Sequence, residues 1–360
     1  MYMIVSLLYI NRMVLRILFR KRIFVEETMA RGLMELDTGL LAVSSVVGRT
    51  EHDGPLGNLF DEYDETDRFG KDTWERAESE MQRRAFGTLL LKGKVKEKDI
   101  GALLAGDLLN QCVASAYGLM KYDVPYFGLY GACSTIVEGL ILGAALQSGG
   151  FYDMCAAVAS SHYCTAERQY RSPIEYGSQR TPTAQWTVTG AGAFLLGDGG
   201  KVRIKRAMPG IVVEKGIRDA ANMGAAMAPA AVSTLTRFFS ETGSTPREYD
   251  MIVSGDLGWE GGAILCDLML SGGYDIRDNY YDCGRLIYSK GTQDKHAGGS
   301  GCGCAATVTA AYLYPKLLSG ELRRVLLMAT GAMMSPSSVM QGDAIPAIAH
   351  LVELRGGVGL

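Results

Sequence analysis

The sequence of 360 residues predicts an α/β protein made of two duplicated halves related by a pseudo-twofold axis. Hydrophobic residues make up 48% of the chain and charged residues 21%, a balance typical of globular α/β proteins rather than of disordered chains. Strand-like and helix-like segments also recur in the same order in the two parts of the sequence. Because a chain of this length exceeds what one hydrophobic core usually holds, two halves are expected.

An internal repeat carries the prediction of duplicated halves. Residues 99–107 (DIGALLAGD) align without gaps on residues 248–256 (EYDMIVSGD), and Cys133 in GACST aligns with Cys304 in GCGCA. An apolar helix follows each cysteine, and the next strands, CAAVAS and VLLMAT, fall in register. Matches in the same order indicate a repeated structural unit. Two central helices are therefore expected back to back, with parallel strands beside them.

The first part of the chain alternates strands with helices. Apolar runs predict strands at residues 39–47, 103–107, 126–130 and 155–159. Apolar residues at helical spacing predict an amphipathic helix at 72–92, capped by Asp72 or Thr73, and a buried helix at 136–146. The turn residues at 53–57 and the acidic, polar stretch at 61–72 predict loops.

Polar residues dominate positions 160–189, which predicts a long loop of functional or interface character. Residues 190–196 and 202–207 are expected to form two antiparallel strands joined by Asp198-Gly199-Gly200. A second amphipathic helix is predicted at 225–240, closed by Gly243, because glycine favours the left-handed conformation that ends helices.

The first 38 residues differ in character from the rest of the chain. Met1 to Ile10 is apolar, but Arg12, Arg16 and the cluster at 20–22 leave no run of about 18 apolar residues that could span a bilayer. The order of charges is also the opposite of that in a signal peptide. This segment is interpreted as a basic amphipathic helix on a membrane surface or as sequence upstream of a true start at Met29 or Met34, the second being slightly favoured.

Charge and cysteine usage exclude several classes of function. A net charge of -3 provides no basic footprint for nucleic acid. Eight cysteines without a regular framework are typical of reduced intracellular thiols. Cys302 and Cys304 form a C-x-C pair, but no second pair lies at zinc-finger spacing, so no metal site is predicted.

The stretch from Gly131 to Thr135 is the main candidate functional site. It joins the strand at 126–130 to the apolar helix and places Cys133 or Ser134 where a helix begins, beside free backbone N–H groups. Such a position binds an anion or lowers the pKa of a thiol. Cys133 as a small buried hydrophobic residue is the alternative, because free cysteines are often buried.

A duplicated half with a cysteine at the start of the first central helix resembles the thiolase superfamily. More specifically, the chain from about residue 40 onward is similar to the stage V sporulation protein AD family of spore-forming bacteria, a thiolase-fold family. The segments that carry this similarity are DGPLG at 53–57, LLAGDLLNQ at 103–111, GACST at 131–135, SSHYCTAERQYRSPIEYG at 160–177, MGAAMAPAA at 223–231, DCGRLIY at 282–288, AGGSGCGC at 297–304 and ATGAMMSP at 329–336.

The resemblance implies a thiolase-like α-β-α-β-α sandwich, with one half at residues 39–208 and the other at 209–360. In that superfamily the cysteine at the position of Cys133 is the acyl nucleophile, helped by a histidine and a histidine or asparagine. The two helper positions are occupied here by the segments 255–258 (GDLG) and 298–300 (GGS), which lack these donors. Loss of one such donor typically costs about 10²- to 10³-fold in rate, so no catalytic residue is assigned and Cys133 is a relic nucleophile.

Members of the family are understood to bind dipicolinic acid, alone or as its calcium chelate, and to support its uptake into the developing spore with membrane proteins of the same operon. The resemblance therefore implies a non-catalytic binding protein without a cofactor, except for calcium carried by the ligand. It implies a homodimer inside the sporulating cell, peripheral at the spore inner membrane. The residues expected to contact the ligand are Cys133, Ser134, Asp282, His162, Asn110, Gly299 and Ser300.

Several of these residues have structural alternatives. Asp282 is equally suited to capping a turn, and His162 is more often a hydrogen-bonded core histidine than a ligand. Arg168 and Arg171 are further candidates for a carboxylate, although Glu167 and Glu175 are ordinary partners for them. Two other functions stay open: an acyl-CoA or acyl-carrier acyltransferase or condensing enzyme that uses Cys133, with His162 or His296 as its partner, and a structural subunit that docks on membrane partners.

Overall fold

Eleven strands form one mixed β-sheet in the computed structural model, which describes residues 32–170 and 180–357. Two further short strands pair with each other outside it. The strands of the described residues are β1 (Met34–Gly48), β2 (Glu62–Asp64), β3 (Ala102–Gly106), β4 (Tyr126–Gly128), β5 (Met154–Ser161), β6 (Trp186–Thr187), β7 (Gly190–Gly197), β8 (Val202–Met208), β9 (Met251–Ser254), β10 (Tyr280–Asp282), β11 (Gly299–Ser300), β12 (Arg324–Ala332) and β13 (Ala347–Arg355).

The order of the strands confirms the duplication. One half of the sheet runs β1-β7-β5-β3-β4 and the other runs β8-β13-β12-β9-β10. In each half the first two pairings are antiparallel and the last two are parallel. Antiparallel pairing of β1 with β8 joins the halves at the centre. The predicted pseudo-twofold relation is therefore built into the hydrogen bonding of the sheet.

The register of the repeat is preserved at the sheet edges. Leu103 of β3 pairs with Tyr126 of β4, and Ile252 of β9 pairs with Tyr280 of β10. Leu103 and Ile252 are partners in the gap-free alignment of the repeat. The predicted boundary between the halves at residue 208 stays a prediction, although the sheet groups β8 with the strands of the second half.

The helices of the described residues flank the sheet or lie between its halves. They are α1 (Arg49–His52), α2 (Trp74–Gly93), α3 (Val113–Leu119), α4 (Thr135–Ser148), α5 (Tyr163–Tyr170), α6 (Met223–Thr242), α7 (Gly258–Ser271), α8 (Cys283–Leu286), α9 (Cys302–Val308), α10 (Tyr314–Ser319) and α11 (Pro336–Met340). A π-helical turn, Thr309–Leu313, connects α9 to α10. None of the described helices is long and apolar enough to cross a membrane.

Three hydrophobic clusters produce the layers of the sandwich. Helix α2 packs on one half of the sheet and α6 on the other. Helix α4 contacts β3 and β5 of the first half and β12 and β13 of the second, and α9 lies beside it in the same central cluster. The central helices are apolar on all sides because strands from both halves cover them.

The outer helices begin and end as the sequence predicts. The Thr73 side chain accepts a hydrogen bond from the backbone N–H of Arg76 and caps α2. Gly243 ends α6 with a φ of 65°, a left-handed conformation that glycine adopts without steric cost. Helices α2 and α6 have 20 residues each, as expected for equivalent elements of a duplicated fold.

The segment from 160 to 189 is more ordered than predicted. It contains α5 and β6 within its described residues. The helix was hidden in the sequence because its buried face is polar: the Thr165 hydroxyl donates to the buried carboxylate of Glu78 at 2.7 Å. Residues 171–179 of this segment, including Arg171 and Glu175, lie outside the described residues, as do residues 1–31 of the predicted N-terminal segment.

The predicted antiparallel pairing of the strands on either side of Asp198-Gly199-Gly200 is wrong. β7 and β8 lie on opposite edges of β1 and both run antiparallel to it. The chain therefore crosses β1 between residues 197 and 202, over Gly39. A Cβ atom on Gly39 would overlap the carbonyl oxygen of Gly199 and lie 2.8 Å from its carbonyl carbon. Glycine is required at position 39 for this close approach.

We predict that Gly39→Ala lowers the free energy of unfolding by about 1–3 kcal/mol, because overpacking against a backbone carbonyl cannot be relieved by a side-chain rotation. Chemical denaturation followed by circular dichroism measures the change. Gly291→Ala is the matched control, since a Cβ there meets no atom within 4 Å. Equal stability of the two variants would contradict the proposed steric role of the crossing.

Candidate functional site

Cys133 lies in a tight turn between β4 and α4. The turn Ala132–Ser134 is a 3₁₀ helix, and Ala132 has a φ of 49°, which is uncommon for a residue with a side chain. Hydrogen bonds hold this backbone: the Ser134 hydroxyl donates to the Gly131 carbonyl at 2.6 Å and the Thr135 hydroxyl donates to the Ala132 carbonyl at 2.7 Å. The turn therefore places the Cys133 side chain at the start of the central helix, as predicted.

The second half of the chain supplies the groups that face Cys133. The Cys133 Sγ atom lies 3.8 Å from the Ser300 Oγ atom, and the Ser300 hydroxyl donates to Asp256 Oδ2 at 2.9 Å. Thr330 donates to Asp256 Oδ1 at 2.7 Å, and the backbone N–H of Gly301 donates to Oδ2 at 3.3 Å. The site thus forms where the two halves meet.

The electrostatic environment keeps the Cys133 thiol protonated. Burial raises the pKa of Cys133 well above its ordinary value, and the nearby Asp256 carboxylate raises it further. Burial also raises the pKa of Asp256, against the hydrogen bonds from Thr330 and Ser300 that lower it. Because the thiolate is the nucleophilic form of cysteine, a neutral thiol next to an acidic group is a poor nucleophile.

A cavity of about 70 Å³ opens beside Cys133, between the two halves. Most of its walls are apolar, and its polar groups are a thiol, two hydroxyls, a phenol and one carboxylate. Its lining residues are Leu108, Ala132, Cys133, Ala166, Glu167, Tyr170 and Thr187 from the first half and Ala220, Met223, Ser300, Gly301, Ala332 and Met334 from the second. The described residues around it contain no group of three or more side chains able to hold a metal ion.

The short strand pair β6 and β11 brings two hydroxyls to the cavity. Thr187 pairs in register with Ser300, and both side chains line the cavity. Trp186 and Gly299, one position earlier in each strand, belong to the opposite face because side chains alternate along a strand. Gly299 therefore contributes backbone to the strand pair rather than to the cavity lining.

Helix α5 forms one wall of the cavity through Ala166, Glu167 and Tyr170. Buried polar contacts anchor it: Thr165 and Ser160 both donate to the carboxylate of Glu78, whose pKa is raised to about 8 by burial and by the neighbouring Asp107. At the other end of the helix, the Tyr170 hydroxyl donates to the Leu108 carbonyl at 2.6 Å. This bond joins two walls of the cavity, the one formed by α5 and the one formed by Leu108.

Of the seven residues expected to contact the ligand, Cys133 and Ser300 line the cavity. Ser134 is buried in the turn and bonds to Gly131. The backbone N–H of Asn110 donates to Gln169 Oε1 at 3.0 Å, and this residue lies outside the lining. His162, Gly299 and Asp282 also lie outside it, and we do not retain these five residues in the candidate site.

Asp282 has the capping role that was its alternative interpretation. It is buried and accepts hydrogen bonds from the Ser254 hydroxyl, from the backbone N–H groups of Leu257 and Gly258, and from that of Arg285 at the start of α8. Burial raises its pKa to about 6. These bonds fix the loop after β9 and leave Asp282 occupied as an acceptor within the protein.

His162 is a hydrogen-bonded core histidine. Its Nε2 atom lies 2.8 Å from the Asp67 carbonyl and its Nδ1 atom accepts from the backbone N–H of Cys164 at 3.2 Å. This pair of partners requires the neutral tautomer with the proton on Nε2, and burial lowers the pKa of the ring, which favours the same form. His296, the other candidate base, lies near Asp294 on a separate concave surface with Lys290 and Lys295.

Sequence reasoning missed three polar groups of the cavity lining, Glu167, Tyr170 and Thr187, and also the role of Asp256 behind Ser300. Asp107 and Asp256 occupy matching positions of the repeat at the ends of strands, where an acidic residue is most often a structural cap. Asp107 indeed accepts from the backbone of Leu109 and Ser115, whereas Asp256 orients Ser300 toward Cys133. Arg168, a candidate for binding a carboxylate, pairs with Glu75 at the surface instead.

The architecture and the cysteine turn define a thiolase-like protein. Solved structures with this fold include cerulenin-bound OleA of Xanthomonas campestris, with a TM-score of 0.58 and 14% identity over 92% of this chain and all of that one. A second is 3-oxoacyl-[acyl-carrier-protein] synthase III from Aquifex aeolicus VF5, with a TM-score of 0.57 and 13% identity over 88% of this chain and 99% of that one.

Sequence comparison identifies the family within this fold. The profile of the Stage V sporulation protein AD family matches residues 32–355, and the chain belongs to that family. The chain is 42% identical over 320 residues to Stage V sporulation protein AD of Bacillus subtilis (strain 168), which covers 88% of this chain and 94% of the relative. The chain is therefore a sporulation protein with a thiolase-like fold.

We predict that Cys133 resists alkylation in the folded protein. Each unit by which the pKa is raised lowers the thiolate fraction at neutral pH about tenfold, so iodoacetamide at pH 7.5 is expected to label Cys133 at least about tenfold more slowly than in the unfolded chain. Site-resolved mass spectrometry measures the rates, and the other seven cysteines, all free, serve as internal references.

The rate of labelling at Cys133 should keep rising with pH beyond pH 9, because the neutral thiol persists until the pH approaches the raised pKa. Fast labelling with a midpoint below pH 8 would mean that Cys133 is a thiolate at neutral pH. That result would remove the electrostatic argument against nucleophilic chemistry.

Proposed function

We propose that this protein binds dipicolinic acid, free or as its calcium chelate, in the Cys133 cavity and performs no chemistry on it. The resemblance described above implies this ligand, and membership of a sporulation family supports it. The observation that supports binding without catalysis is the neutral Cys133 thiol, which faces Ser300 and Asp256 rather than a histidine. Calcium, where it is needed, arrives with the ligand.

The geometry of the cavity favours a flat, polar-edged molecule. Leu108, Met223 and Met334 provide apolar surface for an aromatic ring. Thr187 and Ser300 are in register on neighbouring strands and both line the cavity, and the Ser300 hydroxyl can donate to a carboxylate when its bond to Asp256 rearranges. Ligand sites commonly combine mostly apolar walls with a few placed polar groups.

Catalysis would need a proton acceptor for Cys133 and donors for a developing oxyanion. In the part of the chain that the structure describes, neither His162 nor His296 lines the cavity. The residue next to Ser300 in the hydrogen-bond chain is Asp256, which is acidic and already accepts three hydrogen bonds. A negative group there opposes both the thiolate and an oxyanion.

The biological role that we propose is support of dipicolinic acid uptake into the developing spore, together with membrane proteins of the same operon. A position inside the sporulating cell, peripheral at the spore inner membrane, is part of this proposal. A homodimer is also part of this proposal.

The edge strand β4 offers a surface for the second copy. Its residues Tyr126 and Phe127 are exposed, so it presents backbone groups and aromatic surface.

We predict saturable binding of dipicolinate to the purified protein by isothermal titration calorimetry, measured with a chelator and with calcium. Cys133→Trp is expected to abolish binding by filling the cavity. Cys133→Ala is expected to weaken it about fivefold, the equivalent of about 1 kcal/mol for one lost contact. Ala220→Phe provides a second blocking variant at a half-buried position of the lining.

Cys304→Ala is the matched control for these variants, because Cys304 is the repeat partner of Cys133, is buried, and lies outside the cavity lining. It is expected to bind like the unaltered protein. Absence of saturable binding with and without calcium would overturn the proposed function. If Cys133→Trp binds dipicolinate with unchanged affinity, the binding site is not the Cys133 cavity.

We predict that no acyl adduct forms on Cys133 after incubation with acyl-coenzyme A, since the pKa of the thiol is raised and no described histidine lines the cavity. Intact-mass spectrometry detects such an adduct directly, with Cys133→Ser as the reference. A stoichiometric adduct on the unaltered protein would favour the acyltransferase interpretation. Absence of both the acyl adduct and dipicolinate binding would favour the third interpretation, a structural subunit that docks on membrane partners.

A further inference from the structure

Glu78 is a buried acid behind the cavity wall formed by α5. It lies on α2, and its carboxyl group contacts two hydroxyls: Ser160 Oγ of β5 is 2.9 Å from Oε1, and Thr165 Oγ1 of α5 is 2.7 Å from Oε2. The residue is fully buried. The part of the chain that the structure describes places no cation within ion-pair distance of it. An ionised carboxylate is therefore costly at this position.

The hydroxyl of Thr165 indicates where a proton lies. Besides Glu78 Oε2, it has a second acceptor, the His162 carbonyl at 2.9 Å. A hydroxyl has one hydrogen, so it cannot donate to both oxygens at once. When Oε2 carries a proton, Glu78 donates to Thr165 and Thr165 donates to His162, so each contact has a hydrogen. When Glu78 is ionised, one of the two contacts has none.

The other oxygen of Glu78 fits the same assignment. Gln82 Nε2 donates to Ser160 Oγ at 2.8 Å, which leaves the hydrogen of the Ser160 hydroxyl for Glu78 Oε1. Gln82 Nε2 also lies 2.8 Å from Ser115 Oγ, whose own hydrogen goes to Asp107 Oδ2 at 2.6 Å. A chain of hydrogen bonds therefore leads from the Gln82 amide to each of the two acids.

Asp107 keeps the negative charge of this pair of acids. Its oxygens accept hydrogen bonds from the backbone N–H groups of Leu109 and Ser115 and from the Ser115 hydroxyl. Burial raises the pKa of Asp107, and these three bonds oppose that effect. Burial and the neighbouring Asp107 raise the pKa of Glu78 to about 8. At neutral pH the pair therefore keeps one proton, and the hydrogen bonds assign it to Glu78.

The other titratable groups near Glu78 do not stabilise its ionised form. Glu75, one turn earlier on α2, is acidic and raises the pKa of Glu78 further. Burial raises the pKa of the Cys302 thiol on α9 well above its ordinary value, with Asp107 and Glu78 adding to the effect. Burial lowers the pKa of the His162 ring. Each of these neighbours is neutral or negative at pH 7–8.

Thr165 connects the proton of Glu78 to the cavity. It lies in the first turn of α5, where the backbone N–H of Ala166 donates to the same His162 carbonyl. Ala166 and Glu167, the next two residues, line the cavity. Ionisation of Glu78 therefore removes a hydrogen bond from the turn that carries the wall. It also places a negative charge behind a wall that faces an anionic ligand.

We propose that Glu78 is a positioning residue of the cavity in its neutral form, and that loss of its proton weakens binding of a dicarboxylate. This inference rests on the proposed function and deepens it, since it names the group that makes binding depend on pH. The lost hydrogen bond and the added charge act in the same direction. The affinity for dipicolinate is therefore retained at neutral pH and falls as the pH rises through about 8.

Calorimetry with dipicolinate and a chelator, at pH 6.5 and at pH 9, tests this assignment. Both carboxylates of the ligand are ionised at both pH values, so the change comes from the protein. The unaltered protein should bind about five- to tenfold more weakly at pH 9, where a group with this pKa is about nine-tenths ionised. Glu78→Gln keeps a neutral donor and acceptor and should bind equally at both pH values. Glu78→Ala should bind weakly at both.

Glu80→Gln is the matched control. Glu80 lies on the same helix, and its hydrogen bonds with Arg83 lower its pKa to about 2, so it does not titrate between pH 6.5 and pH 9. This variant should keep the pH dependence of the unaltered protein. Glu51 and Asp282 are buried acids whose pKa values are also raised, but they are present in every variant. The difference between the proteins therefore reports on Glu78.

Hydrogen–deuterium exchange without ligand separates this inference from the proposed function. After correction for the intrinsic effect of pH, the amides of α5 should exchange faster at pH 9 in the unaltered protein but not in Glu78→Gln. Absence of dipicolinate binding at both pH values overturns the proposed function and the predicted pH dependence of binding. Exchange that responds to pH equally in the two proteins overturns the role of Glu78 in the wall.

Two results would contradict the role of Glu78 in binding and leave the cavity as the site. One is a dipicolinate affinity of the unaltered protein that is the same at pH 6.5 and pH 9. The other is an equal fall in affinity for the unaltered protein and for Glu78→Gln, because another group would then be responsible for it. Thermal unfolding of each variant at both pH values verifies that it is folded.

Discussion

Antiparallel pairing of β1 with β8 joins the two halves of the sheet, with Met34 opposite Ala207 and Leu40 opposite Val202. The crossing of the chain over Gly39 makes this possible, since it moves the backbone from one edge of β1 to the other. Once the halves are joined, the sheet encloses α4 and α9, and the turn at Cys133 meets β11 of the other half. The site is therefore a product of the duplication and belongs to neither half alone.

Asp256 sets the chemical character of that site. The duplication places an acid at the end of β3 and at the end of β9, but only the second faces Cys133 through Ser300. Burial and the neighbouring Asp256, which three donors hold in place, raise the pKa of the Cys133 thiol and so keep it protonated. The same acid orients Ser300, so a feature that opposes nucleophilic chemistry also organises a polar wall for a ligand.

Much of the fold was accessible from the sequence because it depends on local patterns. The repeat, the apolar central helix and the caps at Thr73 and Gly243 all follow from periodicity and from residue-specific backbone preferences. The cysteine turn could be located for the same reason. Each helix, cap and turn is formed by residues within one short stretch of chain, and so is each copy of the repeat.

The parts that the sequence did not reveal depend on long-range packing. A glycine-rich connection such as Asp198-Gly199-Gly200 suits a hairpin as well as a crossing, and only the pairing of β1 with both β7 and β8 decides between them. Thr187 and Ser300 become neighbours through a strand pair that joins distant segments. For Asp282 the sequence left capping and ligand binding open because both use the same carboxylate chemistry, and the partners of its oxygens are fixed only in three dimensions.

The distribution of charge around the cavity makes binding of a dicarboxylate depend on more than the lining. The described walls hold one carboxylate, Glu167, and no cation, so an anion entering the cavity meets repulsion unless that carboxylate is neutralised or displaced. Arg180 Nη1 lies 3.6 Å from Glu167 Oε1 and stabilises that carboxylate from outside the lining. The charge of the cavity is therefore set by ion pairs behind its walls as well as by the groups that line it.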